Sequence, residues 1–387
     1  MCLPWRKAVP VEGPGSIKKI PELLRGQKVK KPMLITDNGL VKAGIAQKII
    51  DVLVNAHFPY AVFTDVEPNP SVKTVNNIQK LYLLSGCDGF IALGGGSSMD
   101  AAKGAAARVV KPKTSVNKLG GLLKVLKRIP PFIAIPTTAG TGSETTVAAL
   151  ITDTETHHKY AIMDLCLIPR YAILDSELTT GLPPALTAAT GMDALTHAVE
   201  AYLCWTYNTR ESVQFALDAV KIIFTNLEKV YNDGNNIEAR QAMLLASYKA
   251  GFAFTRACVG NIHAIAHTLG GIYNTPHGLA NAVIMPKVLD DYGKKVHKKL
   301  ARLARAAELV SNDDARTDAE KARVFIGAVY AMNERMSIPK GFEFIKDEDI
   351  PRMIKWAGKE SNPIYPVPVV FNKKRFKSMI EKIRVNS

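Results

Sequence analysis

The stretch GFIALGGGSSMDAAKGAAA, residues 89–107, decides the fold. A short apolar run leads into three glycines, and an alanine-rich helical run follows. The same alternation occurs upstream, where KKPMLITDNGL holds a predicted strand at residues 33–36 and a helix is predicted at residues 45–54. A further strand in PYAVFTD precedes a predicted helix at residues 72–85. Repeated strand, turn and helix units predict a parallel sheet with helices on both faces.

From Leu182 onward the strand-like runs stop and long amphipathic segments follow. The paired prolines in GLPPAL cannot continue a strand ladder, so we place a domain boundary near Gly181. The sequence predicts an α/β domain over residues 1–181 and an all-helical domain over residues 182–387. The helices predicted in the second domain cover residues 185–204, 211–230, 237–254, 263–270, 294–309, 318–336, 352–359 and 373–383. The segment from residue 347 to the end suggests no function.

The loop GGGSS is the candidate phosphate site, and it consists of Gly94, Gly95, Gly96, Ser97 and Ser98. Glycines let the backbone approach a pyrophosphate, and the amides of the following helix N-terminus supply partial positive charge. Ser97 and Asp100 are predicted to form a capping-box variant at this helix start. The loop is not a G-x-G-x-x-G fingerprint, and the acidic strand-end residue, Asp37, precedes the glycines instead of following them. A glycine-rich turn is also common without a ligand, so the loop alone leaves both alternatives open.

Asp193 and His197 stand four residues apart in the helical run TAATGMDALTHAVEAY, so their side chains leave one helix face one turn apart. Downstream, NIHAIAHTLGG and TPHGLANAV add His263, His267 and His277. One carboxylate oxygen with two or three imidazole nitrogens suits a borderline divalent cation such as Fe(II), Zn(II), Mn(II) or Co(II). Spacing does not select the ligands, because His263 and His267 also stand one turn apart. An isolated Asp-x-x-x-His is, moreover, more often an ordinary hydrogen-bonded pair.

Two stretches resemble the iron-containing (group III, metal-dependent) alcohol dehydrogenase family. They are AILDSELTTGLPPALTAATGMDALTHAVEAY, residues 172–202, and HAIAHTLGGIYNTPHGLANAVIMP, residues 263–286. The resemblance implies a Rossmann-like parallel-sheet domain and a helical metal-binding domain, the dehydroquinate synthase-like fold. It implies a metal held by Asp193, His197, His263 and His277. It places His267 near the nicotinamide, where this catalytic candidate either passes a proton to solvent or hydrogen-bonds a metal ligand.

The resemblance also implies that NAD binds the first domain. Asp37 resembles the family's carboxylate at the adenosine ribose, which would accept hydrogen bonds from two hydroxyls and repel a 2'-phosphate; the alternative is a simple turn-former. NAD is therefore favoured over NADP. EPNP and PTTAGTGSETT match further cofactor segments, although each is an ordinary polar loop when taken alone. The cofactor-binding residues implied are Asp37, Asn69, Gly94, Gly95, Gly96, Ser97, Ser98, Asp100, Thr137, Thr138, Thr141, Ser143, Thr146 and Lys159.

This family resemblance implies hydride transfer between NAD(H) and a small primary alcohol or aldehyde. The cation, Fe(II) first and Zn(II) as the alternative, would polarise the substrate oxygen. The competing interpretations are a zinc-dependent glycerol or polyol dehydrogenase and a non-redox relative such as dehydroquinate synthase. Arg256 lies shortly before His263, and we hypothesise that it biases the pocket toward a polar or anionic aldehyde; a surface arginine is the simpler alternative.

Composition narrows the class of protein. The 387 residues carry a net charge of +15 and are 47% hydrophobic, which is typical of a soluble globular chain. The lysines are scattered over helix faces instead of forming a stripe with aromatic residues, which argues against a specific nucleic-acid partner. Five cysteines without a Cys-x-x-Cys pair, and no visible signal or membrane-spanning segment, predict reduced thiols in the cytoplasm. The family resemblance suggests a homo-oligomer, with a dimer as the first expectation.

Overall fold

The structure is a computed structural model that describes residues 5–154 and 158–385, without the side chain of His158. The chain divides into two compact units, Met1–Thr180 and Gly181–Ser387, here called the N-terminal and C-terminal units.

A six-stranded parallel sheet forms the centre of the N-terminal unit, in the strand order β1-β9-β6-β4-β2-β3. Strand β4 is buried along its whole length, as expected for a strand covered on both faces. The strands described in this unit are β1 (Val9–Glu12), β2 (Pro32–Ile35), β3 (Ala61–Phe63), β4 (Gly89–Gly94), β5 (Gly121–Leu122), β6 (Phe132–Pro136), β7 (Ala148–Asp153), β8 (His158–Met163) and β9 (Tyr171–Leu174).

Helices cover both faces of this sheet. The helices of the unit are α1 (Ile20–Gly26), α2 (Asn38–Lys42), α3 (Ile45–Asn55), α4 (Val72–Leu84), α5 (Gly96–Val110) and α6 (Val116–Leu119). Alternate residues of β4 enter different hydrophobic cores, with Phe90 in a core shared with α4 and α5, and Ile91 in a core shared with α1 and α3. The prediction of a parallel sheet with helices on both faces is thus confirmed.

The sequence patterns did not predict a second, smaller sheet of order β5-β8-β7. In it β7 and β8 pair antiparallel, while β5 and β8 pair parallel. Strands β7 and β8 of this sheet follow the polar loop of PTTAGTGSETT, so the sheet bears on the position of the candidate cofactor residues.

The C-terminal unit is helical. Its helices are α7 (Pro184–Leu203), α8 (Arg210–Asn232), α9 (Ile237–Ala257), α10 (Asn261–Tyr273), α11 (His277–Tyr292), α12 (His297–Ala306), α13 (Asp318–Arg335), α14 (Ile350–Ser361) and α15 (Lys373–Ile383). Helix α7 packs against α8, α9 and α11 and is buried on nearly all sides, which makes it the central helix of the unit. The predicted fold class is confirmed, although the patterns missed α11 as a separate helix.

Two further observations concern the predicted class of protein. No helix among the described residues is long and apolar enough to cross a membrane. Cys87, Cys166, Cys204 and Cys258 are free thiols, and Cys2 lies outside the described residues.

Candidate functional site

One aspartate and three histidines of the C-terminal unit form a cluster. Asp193 and His197 project from α7, His263 from α10, and His277 is the first residue of α11. Each offers one ligand atom, and the four atoms lie within 4.8 Å of one another. Asp193 Oδ1 lies 3.5 Å from His277 Nε2 and 3.9 Å from His263 Nε2. One oxygen and three imidazole nitrogens at this separation fit a single divalent cation.

Burial distinguishes the members of this metal cluster. Asp193, His197 and His263 are buried, whereas the side chain of His277 is 39% exposed. The ring of His197 stacks on Phe254, at 4.1 Å between centroids, and on His263, at 4.6 Å. The cluster is therefore held by packing on the α7 and α9 side and open toward His277.

Glu200 contacts the metal cluster through His263. Its Oε2 lies 2.5 Å from Nδ1 of His263, and its Oε1 accepts a hydrogen bond of 2.8 Å from the amide of Ile262. This contact occupies Nδ1 of His263 and leaves Nε2 for the cluster, the usual arrangement of a carboxylate behind a metal-binding histidine. Burial, with a smaller contribution from the charge of Glu360, raises the pKa of Glu200 to about 8, and burial likewise lowers the pKa of His263. A dication in the cluster would offset the free-energy cost of burying the carboxylates of Asp193 and Glu200.

Asn281 completes the surroundings of the cluster. Its Nδ2 lies 2.7 Å from Asp193 Oδ1, 3.1 Å from His263 Nε2 and 3.2 Å from His277 Nε2. Its own Oδ1 is buried and has no hydrogen-bond partner among the described residues. The amide therefore contacts three of the four candidate ligands and is part of the site.

His267 lies beside the cluster, and its Nδ1 contacts a carboxylate outside it. Its Nδ1 lies 2.6 Å from Glu360 Oε1, and the same oxygen accepts a 2.7 Å hydrogen bond from the hydroxyl of Tyr365. Burial acts to raise the pKa of Glu360, but the neighbouring His267 imidazole and the hydrogen bonds from His267 and Tyr365 outweigh it, so this pKa lies below its usual value. The geometry thus separates the two helical histidines that spacing left equivalent: His263 faces Asp193 and His267 faces Glu360.

The candidate cofactor residues lie at the carboxyl ends of neighbouring strands in the N-terminal unit. Asp37 follows β2, Asn69 lies in the loop after β3, the three glycines end β4 and begin α5, and Thr137 follows β6. The amide of Thr137 donates a 3.1 Å hydrogen bond to the carbonyl oxygen of Gly94, which joins two of these loops. Parallel α/β sheets bind ligands at this edge.

A side chain on the glycine loop would be strained at Gly94 and crowded at Gly96. Gly94 has a φ of +144°, and a Cβ on it would lie 2.5 Å from Ser98 Oγ. A Cβ on Gly96 would lie 3.1 Å from the side chain of Thr141. The N-cap of α5 is Gly95, which has no side chain to accept hydrogen bonds from the first turn. The first-turn amides of α5 thus have no side-chain cap and are available to a phosphate.

The predicted capping box between Ser97 and Asp100 is wrong. Ser97 Oγ accepts a hydrogen bond from the amide of Asn69, at 3.2 Å. Asp100 is buried and accepts hydrogen bonds from Ser143 Oγ, at 2.9 Å, and from the amide of Leu150, at 3.1 Å. The Asp100 carboxylate therefore joins α5 to the polar loop of residues 136–146 and to β7.

The other predicted cofactor residues differ in their hydrogen bonds and in their exposure. Lys159 is exposed and donates a 2.8 Å hydrogen bond to Asn69 Oδ1, which gathers it with Asn69 and Ser97. Asp37 caps α2 by accepting a 3.0 Å hydrogen bond from the amide of Leu40, so the turn-forming role is observed. Partly exposed positions are Gly95, Gly96, Ser97, Thr138 and Thr141, and buried ones are Gly94, Ser98, Thr137, Ser143 and Thr146.

Sequence reasoning missed four residues of the C-terminal site, namely Glu200, Asn281, Glu360 and Tyr365. Glu200 stands three residues after His197 and seven after Asp193, so helical spacing could have identified it. Glu360 and Tyr365 lie more than ninety residues after His267 and carry no local signal. Arg256, proposed to shape the pocket, lies in α9 and is partly exposed.

Comparison with known proteins agrees with this site. Residues 10–176 match the family described as iron-containing alcohol dehydrogenase, and residues 187–383 match the C-terminal domain of the same family. The NAD-dependent methanol dehydrogenase of Bacillus methanolicus is 37% identical over 360 residues, which cover 91% of this chain and 93% of that protein. The 1,3-propanediol dehydrogenase of Klebsiella pneumoniae is 37% identical over 355 residues, covering 90% of each chain.

A solved structure of a 1,3-propanediol oxidoreductase has a TM-score of 0.94 to this chain at 33% identity, and the match covers 99% of this chain and 100% of that one. These findings confirm the predicted family and the predicted enzyme class of alcohol dehydrogenase. This chain belongs to the iron-containing alcohol dehydrogenase family.

Proposed function

We propose that this chain is a metal-dependent alcohol dehydrogenase that transfers hydride between NAD(H) and a small primary alcohol or its aldehyde. The metal cluster carries the proposal: one carboxylate and three imidazoles, from three helices, lie with their ligand atoms within 4.8 Å of one another. A cation that takes five or six ligands, such as Fe(II), would keep positions for substrate beside these four donors, whereas four protein donors would fill a tetrahedral site.

The ligands we propose are Asp193, His197, His263 and His277, and the metal is Fe(II). Zn(II) accepts the same donors, so the donor set alone does not choose between the two ions. When bound, the cation would act as a Lewis acid toward the substrate oxygen, and NAD(H) would accept or supply the hydride.

The residues of the chain have separate tasks in this proposal. Asp193 contributes the negative charge of the cluster, and Glu200 orients His263 through its Nδ1. His267 moves the proton of the substrate hydroxyl to solvent. Its side chain is 33% exposed and its ring lies 5.1 Å from that of His277, so it has access both to water and to the cluster.

For the cofactor, we propose that the pyrophosphate binds the glycine loop and that the ribose hydroxyls bind Asp37. The carboxylate of Asp37 would repel a 2'-phosphate, which favours NAD over NADP. Asn69 and Lys159, which are hydrogen-bonded to each other, would contact the same cofactor. We assign the other cofactor-loop residues to binding on the family resemblance.

The relatives named for methanol and 1,3-propanediol support a short primary alcohol as substrate. We also propose a cytoplasmic homodimer, on the family resemblance and on the free thiols described above. Size-exclusion chromatography with light scattering measures the oligomer directly.

Anaerobic oxidation of NADH tests the function. The protein is stripped of metal, reloaded with Fe(II) or Zn(II), and assayed with formaldehyde, acetaldehyde, 3-hydroxypropionaldehyde and lactaldehyde. We expect turnover that depends on the metal, with the stripped protein as control, and a smaller rate with NADPH. Absence of turnover with every metal, in protein that still binds NADH, would contradict the proposal.

A further inference from the structure

A carboxylate near the end of α14 contacts His267, the histidine beside the metal cluster. Glu360 Oε1 lies 2.6 Å from His267 Nδ1 and accepts a 2.7 Å hydrogen bond from the hydroxyl of Tyr365. The side chains of Glu360 and His267 are 31% and 33% exposed, so the pair lies at the border between core and solvent. Oε1 of Glu360 thus contacts both the imidazole of His267 and the phenol of Tyr365.

The backbone around Glu360 is tied to the helix that carries His267. Ser361 Oγ donates a 2.6 Å hydrogen bond to Oδ1 of Asn261, the first residue of α10. Asn261 Nδ2 in turn donates a 2.9 Å hydrogen bond to the carbonyl oxygen of Val369, farther along the same C-terminal segment. Asn261 is fully buried, so these bonds are shielded from water. The position of the Glu360 carboxylate relative to α10 is therefore fixed by the fold.

The ring of His267 lies beside two candidate metal ligands. Its centroid is 5.9 Å from that of His263 and 5.1 Å from that of His277, with the latter ring nearly parallel to it. A ring in this position could rotate or exchange tautomers unless one nitrogen were held. Glu360 supplies a contact at Nδ1 alone.

A neutral imidazole has one donor and one acceptor nitrogen, and a carboxylate can only accept. A carboxylate at Nδ1 therefore places the ring proton on Nδ1 and leaves the lone pair on Nε2. We propose that Glu360 is a positioning residue: it fixes the tautomer and ring orientation of His267, and Tyr365 holds Glu360 in that geometry. This inference rests on the proposed function, in which His267 moves the substrate proton.

Steady-state kinetics of the metal-loaded enzyme test the first consequence. In Glu360→Ala we expect kcat to fall by about tenfold to a hundredfold, with metal content and the KM for NADH unchanged. Glu360→Gln keeps an oxygen that accepts from Nδ1 and should retain more activity, and Tyr365→Phe should give a smaller loss. Glu348→Gln, an exposed carboxylate before α14, is the matched control and should match the wild type.

Chemical rescue separates positioning from a general structural role. Added formate should restore part of kcat in Glu360→Ala by accepting from Nδ1, and should not do so in His267→Ala. Wild-type kcat in Glu360→Ala would overturn the inference. A loss of kcat that follows loss of metal in proportion would overturn it as well.

The tautomer can be measured without turnover. In zinc-loaded protein with ¹⁵N-labelled histidine, the imidazole nitrogen shifts of His267 should show a protonated Nδ1 and a bare Nε2. In Glu360→Ala they should move toward the opposite tautomer or an average. Unchanged shifts in the variant would overturn the inference. An inactive wild type with the expected shifts would contradict only the proposed function.

Discussion

Gly278 lies so close to Ala189 that a Cβ on the glycine would stand 2.1 Å from the Ala189 carbonyl oxygen. The same Cβ would lie 3.2 Å from the Cβ of Asp193. Because the obstructing atom is backbone, no rotamer change relieves the contact. The first turn of α11 thus packs directly on α7, and this approach places His277 beside Asp193.

We expect Gly278→Ala to weaken metal binding about tenfold or more, since α11 must move away from α7 and carry His277 with it. Metal content after dialysis, and competition with a chelator, measure the effect. The control is Gly327→Ala at an exposed position of α13, where nothing lies within 4 Å of a new Cβ. That change should stabilise the protein by about 0.5–1 kcal/mol and leave the metal in place. Stoichiometric, tightly held metal in Gly278→Ala would show that the packing does not set the site.

Asp193→Asn tests the charge of the cluster. The substitution keeps an oxygen and the side-chain volume but removes the negative charge that offsets a dication. We therefore expect loss of the metal, measured by elemental analysis of protein purified with Fe(II) or Zn(II). Binding of NADH should persist, because the candidate cofactor residues belong to the other unit. Retained stoichiometric metal would count against Asp193 as a ligand.

Helical and strand periodicity predicted most of the fold because buried elements carry strong patterns. The run before Gly94 is apolar on both faces of the sheet, and α7 pairs Asp193 with His197 on one face. A local sequence pattern carries no information about contacts between segments that are distant in the chain. Spacing could not separate His263 from His267, since the choice depends on Glu360, ninety-three residues away.

The error at Asp100 has a similar origin. A carboxylate three residues after a serine satisfies the capping pattern, but the nearest donors in the folded chain are Ser143 and Leu150. The N-cap of α5 is Gly95 instead, and no side chain caps the first turn of the helix. Tertiary hydrogen bonds with a buried carboxylate thus outweigh a local cap, and a single sequence does not show where those donors will be.

Lys103 links α5, which begins at the candidate phosphate loop, to the polar loop of residues 136–146, so its replacement should weaken NAD binding. It is fully buried, and its Nζ donates to the carbonyl oxygens of Ser143, Thr146 and Ala148, at 2.6 to 3.0 Å. Lys103→Met removes these donors and the positive charge that most favours the ionised form of Asp100, so we expect a loss of roughly 3–5 kcal/mol in stability.

Thermal unfolding and calorimetric titration with NAD measure the two effects in Lys103→Met. The control is Lys113→Met, an exposed lysine after the same helix, which should change stability by less than about 0.5 kcal/mol. Equal NAD affinity in Lys103→Met and the wild type would mean that the loop holds its shape without the lysine.

Glu144 should make the stability of the N-terminal unit depend on pH. Its carboxylate is buried, Oε1 has no hydrogen-bond partner among the described residues, and burial raises its pKa to about 7. The folded chain therefore keeps this proton up to about pH 7, whereas the unfolded chain loses it near the ordinary value of 4.5. Stability from this group is present below pH 4.5 and is lost as pH rises toward 7. Burial lowers the pKa of Lys103 only to about 8, so that lysine stays charged across the window.

Glu144→Gln is neutral at every pH and should remove this loss. Since one pKa unit corresponds to about 1.4 kcal/mol, the variant should gain on the wild type between pH 5 and 7 and lead by up to about 3 kcal/mol above pH 7. Urea unfolding at pH 5, 6, 7 and 8, followed by a probe in the N-terminal unit, measures the difference. Glu177→Gln, an exposed carboxylate of the same unit, should keep the wild-type pH dependence. A constant gain at all four pH values would instead mean that packing, and not the buried charge, separates Gln from Glu at this position.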